Sequence, residues 1–170
     1  SRGLGDVYKR QVKALENNII DFAIVSTPVL VHKHMHQEKL VSYDEILLGG
    51  TKYKQFAQQV HYLEDISEMP LIGLCEGSST HTHYSRFFME HDLPFEPDME
   101  AAMTDQVLPM ITHNLGIGFY PKSLALEAIE KELVFPIELT EPLPNRDVVV
   151  ITNNHTPITV SYTHLTLPTT

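Results

Sequence analysis

The segment Met69–Pro97, MPLIGLCEGSSTHTHYSRFFMEHDLPFEP, restricts the fold more than any other part of the chain. Its apolar run Leu71 to Cys75 stops at Glu76-Gly77, and Ser78, Ser79 and Thr80 follow. Tyr84, Phe87, Phe88 and His91 then recur at the spacing of one helix face. Asp92-Leu93-Pro94 ends that helix before Phe95 begins a further extended piece. A buried strand that turns through small hydroxyl residues into a helix brings backbone N–H groups and hydroxyls to one point. Proteins hold small anions this way, with neither a metal nor a dedicated lysine. The pattern predicts a sensor of small molecules.

Length allows one domain or two small lobes: 170 residues, 42% of them hydrophobic, suffice for a real core. No apolar run approaches the roughly 20 residues needed to cross a bilayer, and the N-terminus shows no signal-peptide core, so no membrane partner is expected. The single cysteine, Cys75, lies in an apolar strand; a disulfide framework is impossible and a reducing, cytoplasmic setting fits. A buried cysteine of this kind reads as a small hydrophobe before it reads as a catalytic thiol.

Residues 1–11 (SRGLGDVYKRQ) and 160–170 (VSYTHLTLPTT) continue no pattern of their neighbours and resemble adaptor sequence, so both are set aside as non-native tails. The first tail holds Arg2, Lys9 and Arg10 against Asp6, which leaves the core still more acidic than the net −10 of the chain. Such a surface repels phosphate backbones, and the core is not expected to bind nucleic acid by itself.

Between the tails, strands are expected at Asp21–Val25, Asp44–Leu48, Leu71–Cys75, 95–99, 115–120, 133–137 and 147–152. Val29–Leu40 reads as irregular and histidine-rich. Val12–Asn17 reads as the end of a helix, and further helices are expected at 80–91, after Thr104 with a late start or a kink at Pro109, and after Pro121 with Leu124, Ala125, Ala128 and Ile129 buried. Asn114 suits a left-handed C-cap. Strands alternating with helices argue for parallel α/β layers.

Taken in order, NNIIDFAIVSTP, EKLVSYDEILLGG, LEDISEMPLIGLCEGSS, HDLPFEP, LPMITHNLGIGFYP and LVFPIEL resemble the effector-binding domain of LysR-type transcriptional regulators over about residues 12–159. Asn114 stands where that family usually has glycine. The resemblance implies an α/β fold of the type 2 periplasmic-binding-protein kind, with two lobes joined by two crossing strands and the effector between them. Lobe I would comprise 12–43 plus 119–159 and lobe II 44–118. The resemblance also implies that a DNA-binding winged helix-turn-helix, and the first strand, first helix and second strand of lobe I, precede residue 12, with a closing helix after Ile158. Lobe I is then incomplete, with an unpaired edge beside Asp21–Val25. DNA would be reached only through the absent domain, and homo-oligomerisation, expected of the parent, is open for this piece.

On that reading Ser78, Ser79 and Thr80 bind effector from lobe II, Ser26 and Thr27 face them from lobe I, Thr104 adds a hydroxyl, and Phe119 with Tyr120 floors the cleft at the return crossing. Each residue has a plainer role: Ser78–Thr80 and Thr104 as helix caps, Ser26 and Thr27 as turn residues before Pro28, Phe119 as core. No cofactor and no catalysis are expected. Two rivals remain. One is a transporter's solute-binding protein. The other is a metal-dependent enzyme using His32, His34 and His36, which share a face in an extended chain, with Glu38 as a fourth ligand; solvated loop histidines are the simpler account. His81 and His83 beside Ser79 suggest a Ser-His hydrolase, but no G-x-S-x-G elbow and no orienting acid accompany them. Gly116 and Gly118 do not form a dinucleotide loop.

Overall fold

The computed structural model describes residues 7–154. Helix α1 (Val7–Glu16) leads into β1 (Phe22–Ser26), β2 (Met35–Tyr43) and β3 (Glu45–Gly50), then short helical turns at Thr51–Tyr53 and Phe56–Gln58. There follow α2 (Leu63–Ser67), β4 (Leu71–Leu74), α3 (Ser79–Met89), β5 (Met99–Ala101), α4 (Thr104–Thr112), β6 (Ile117–Pro121), α5 (Lys122–Glu130), β7 (Val134–Ile137) and β8 (Arg146–Asn153).

Two sheets result. The larger runs β5-β4-β6-β3-β7, and its neighbouring residues point to opposite faces. Leu47, Leu71, Ile117 and Phe119 pack with α2 and α3, beneath Tyr84, Phe87 and Phe88. Leu48, Ile72, Tyr120 and Val134 pack with α4 and α5, against Val107, Ile111, Ala125 and Ala128. Both faces are covered, which is why these strands read as continuous apolar runs, each fully buried large side chain contributing about 1.5–3 kcal/mol. The sheet is mixed rather than parallel: β4 runs parallel to β5 and β6, but β3 pairs antiparallel with both β6 and β7.

The smaller sheet, β1-β8-β2, is antiparallel throughout and packs its Ala23, Val25, Val149 and Ile151 against Val12 and Leu15 of α1. Strand β1 pairs only with β8 among the described strands, in line with the open edge expected there. Strand β2 replaces the second half of the irregular stretch expected over Val29–Leu40. Its sequence MHQEKLVSY is exposed at most positions, so it lacks the alternation that marks a half-buried strand. Pairing with β8 makes it a strand nonetheless.

Strand pairing also moves the lobe division. Residues 119–137, expected to join 12–43, instead supply β6, α5 and β7 to the larger sheet and its covering helices. Only β8 returns to the smaller one. The chain therefore crosses between sheets at 43–45 and again at 138–145, and Phe119 and Tyr120 lie within the larger lobe rather than at a crossing. Helix α1 takes in residues 7–11, upstream of the expected core start; the other tail residues, 1–6 and 160–170, and the position after Ile158 lie outside the described residues.

Helix α4 starts at Thr104 and runs through Pro109. Met103, not Thr104, occupies its N-cap position, and Gln106 Oε1 accepts from the N–H groups of Ala102 and Met103. Asn114 takes the expected left-handed conformation, φ 59°, and its side chain accepts from Lys52 N–H at 2.9 Å. A Cβ on Gly116 would stand 2.5 Å from the Pro70 carbonyl oxygen, so the glycine there serves close backbone approach. Leu124, expected on the buried side of α5, is 61% exposed.

Candidate functional site

A cavity of about 480 Å³ opens between the two sheets, within the range of small-molecule sites. Ser26 and Tyr43 border it from the small sheet, Glu45 from the first crossing, and Ser78, Ser79 and Thr80 from the turn into α3. The start of α4 adds Thr104 and Asp105, and Phe119 of β6 is part of the wall. Most residues expected at the site thus meet: Ser26, the Ser78–Thr80 turn, Thr104 and Phe119 share one cavity, whereas Thr27 does not border it. Thr27 instead ties the end of β1 to β8, accepting at Oγ1 from Asp147 N–H and at its carbonyl from Arg146.

The local sequence explains the turn. Ser78 Oγ accepts from His81 N–H at 3.1 Å and so caps α3, its plainer role. The N–H groups of Ser79 and Thr80 fall in the first helical turn, where no intrahelical acceptor exists. Phe119 carries both of its readings at once: one ring face stacks on Tyr84, centroids 4.2 Å apart, and the residue still borders the cavity.

The centre of the site is a residue that sequence reading passed over. Arg146, buried at the first position of β8, donates from Nη1 to Glu45 Oε1 at 3.0 Å and to Thr80 Oγ1 at 2.8 Å. Its Nη2 donates to Ser79 Oγ at 3.2 Å and its Nε to the Thr27 carbonyl at 3.0 Å. Both hydroxyls accept from the guanidinium, so each can give its own proton to a ligand, and part of the cationic character is relayed outward. Arg146 stands between a proline-rich turn and the apolar run Val148–Ile151; a charge opening such a run was the available signal.

Burial raises the Glu45 carboxyl above its ordinary value, and the neighbouring Arg146 only partly opposes that. Burial likewise raises the Tyr43 hydroxyl, which donates to Ser26 Oγ at 3.2 Å. Behind the turn, His83 is pushed down to about 4 by burial, with Arg146 adding to the effect.

The rival chemistries gain no geometry. Among the described residues no three His, Cys, Asp or Glu side chains gather to hold a metal ion, and His32 pairs with Glu16 at 2.8 Å. His81 meets Ser85, not Ser79. Among the described residues no helix is long and apolar enough to cross a membrane.

Solved structures of the same fold include the reduced form of OxyR from N. meningitidis, 14% identical with a TM-score of 0.74, covering 91% of this chain and 72% of that one. The CcmR regulatory domain from Synechocystis PCC6803, in complex with 2-PG, is 14% identical with a TM-score of 0.75 and coverages of 89% and 72%. The effector-binding domain of QuiR in complex with shikimate is 16% identical, also with a TM-score of 0.75, and coverages of 89% and 70%. No curated protein sequence matches the chain. The model of the LysR substrate binding domain matches residues 6–163, nearly the whole chain. With its two-lobed α/β fold of the type 2 periplasmic-binding-protein kind, the chain belongs to the LysR substrate-binding domain family of transcription regulators.

Proposed function

We propose that this domain senses a small anionic metabolite in the cavity between its sheets and does no catalysis. One observation carries the reading: Arg146 of the small sheet loads Ser79 and Thr80 at the start of a large-sheet helix. Donors are thereby concentrated where the cavity wall bridges both lobes. The CcmR and QuiR domains, whose structures hold 2-PG and shikimate, support a small-molecule ligand for this chain too.

A ligand touching both lobes favours one arrangement of them, and only that difference in affinity shifts the population. In the parent regulator, the shift would reach DNA through a winged helix-turn-helix domain outside this chain. Coupling of this kind is typically worth about 1–3 kcal/mol.

Titrating small carboxylates into the protein, followed by amide NMR, tests the reading. Perturbations at Ser79, Thr80 and Thr104 are expected, and Ser79→Ala should weaken the tightest binder roughly tenfold without altering the fold. Shifts confined to other surfaces, or unchanged affinity in Ser79→Ala, would remove this assignment.

A further inference from the structure

Glu45 borders the cavity with incomplete hydrogen bonding. Its side chain is 2% exposed, Oε1 accepts from Arg146, and Oε2 is buried with no partner among the described residues. An ionised carboxylate oxygen has room for more than one donor, and a buried one left without any is costly. Charge around the cavity points the same way. Among the described residues Arg146 is the cation of the wall and Glu45 answers it at 3.0 Å, while Asp105 adds a second carboxylate at the first turn of α4. A polyanion would therefore find no uncompensated cation in that wall. One carboxylate can be held by the hydroxyls and first-turn N–H groups of α3, but a second finds only neutral donors such as Ser26 and Thr104 and shares the wall with the carboxylates of Glu45 and Asp105.

We infer that the effector is a monocarboxylate carrying a separate hydrogen-bond donor, a hydroxyl or an ammonium group, which Glu45 Oε2 accepts. This rests on the cavity being the effector site. Glu45 then acts as a specificity determinant: it leaves the anion to Ser79 and Thr80 and rejects carboxylates that bring no donor, because those leave Oε2 bare.

The test is a matched set of ring acids of suitable size: cyclohexanecarboxylate, its 3- and 4-hydroxy and 3- and 4-amino analogues, and cyclohexane-1,3-dicarboxylate. Each is titrated calorimetrically at pH 7 into the wild type and Glu45→Gln, with amide NMR reporting the location. The best donor-bearing acid should bind the wild type roughly tenfold or more tighter than the parent acid, and the dicarboxylate no tighter than the parent. The hydroxy and amino arms then identify the donor. Glu45→Gln still accepts from Arg146 but turns an N–H pair toward the ligand, so the preference for a donor-bearing acid should shrink to about twofold. If Glu45→Gln fails to fold, the wild-type series alone decides. Equal affinities across that series, or tightest binding of the dicarboxylate, overturn the inference and leave the cavity reading standing. Silence from every acid at millimolar concentration, with no shift at Ser79 or Thr80, overturns the cavity reading itself.

Discussion

Arg146 Nη1 lies 2.8 Å from Thr80 Oγ1 and 3.0 Å from Glu45 Oε1, so one guanidinium corner fastens the start of β8 to the first turn of α3 and the start of β3. Strands β8 and β3 belong to different sheets, and the ion pair is almost fully buried. Arg146→Met leaves Glu45 ionisable and unpaired at a site already short of donors. It should lower unfolding free energy by about 3–5 kcal/mol, and pairing it with Glu45→Met should recover much of that loss, since the desolvation of both charges disappears together. Urea denaturation of the single and double variants measures both quantities. A single-variant loss below about 1 kcal/mol would mean that the guanidinium fastens nothing.

His83 supplies a pH dependence of known sign. Its folded value is about 4 against an ordinary 6.5, burial being the first cause and the charge of Arg146 the next. The unfolded chain therefore binds a proton that the folded chain refuses. Stability from this residue is complete above about pH 6.5 and is lost as pH falls toward 4. Partial exposure limits the effect to roughly 1–2 kcal/mol. His83→Gln should flatten that part of the stability profile in thermal melts between pH 4 and 7, and an unchanged slope would contradict the buried neutral imidazole.

Sequence carried the larger lobe well, because strands covered on both faces announce themselves as apolar runs and α3 keeps a regular buried stripe of Tyr84, Phe87 and Phe88. It carried the small sheet poorly. Strand β2 has no buried face to impose a period, and its existence follows from β8, whose pairing partners lie more than a hundred residues away. The lobe division failed for a related reason: nothing in VFPI marks that it joins β3 and not the small sheet. At the site, hydroxyls flanking a glycine turn were legible because local chemistry places them. Arg146 was not, since its role comes from Thr27, Glu45, Ser79 and Thr80 converging across the fold.

Asn114 shows how a left-handed position can be filled by something other than glycine. With φ at 59°, it accepts from Lys52 N–H and donates from Nδ2 to Thr51 Oγ1 at 3.1 Å, fixing the end of α4 to the turn after β3. Asn114→Gly keeps the backbone angle at no steric cost and loses two exposed hydrogen bonds, about 0.5–1 kcal/mol. Asn114→Ala loses the same bonds and adds about 1–2 kcal/mol of left-handed strain. Alanine should thus be the more damaging change in chemical denaturation. The reverse order would show that the left-handed angle imposes no net cost on a residue with a Cβ at this position.

Glu45 should oppose His83 over part of the same pH range. Its folded carboxyl titrates above the ordinary 4.5 because burial outweighs the attraction of Arg146, and Tyr43 and Asp105 border the same cavity without offering it a cation. The folded chain accordingly holds a proton that the unfolded chain has released. Stability linked to Glu45 is present below about pH 4.5 and is lost as pH rises through the folded value. Above that value wild-type Glu45 carries a desolvated charge, whereas the side-chain amide of the Glu45→Gln variant never does. The difference in melting temperature, wild type minus Glu45→Gln, should fall with rising pH over that window and then level off. In a His83→Gln background the same difference should keep its shape, because each side chain is shifted first by its own burial and neither acts directly on the other. A difference that climbs with pH would mean that Arg146 outweighs burial and that the carboxylate is held ionised by its partner.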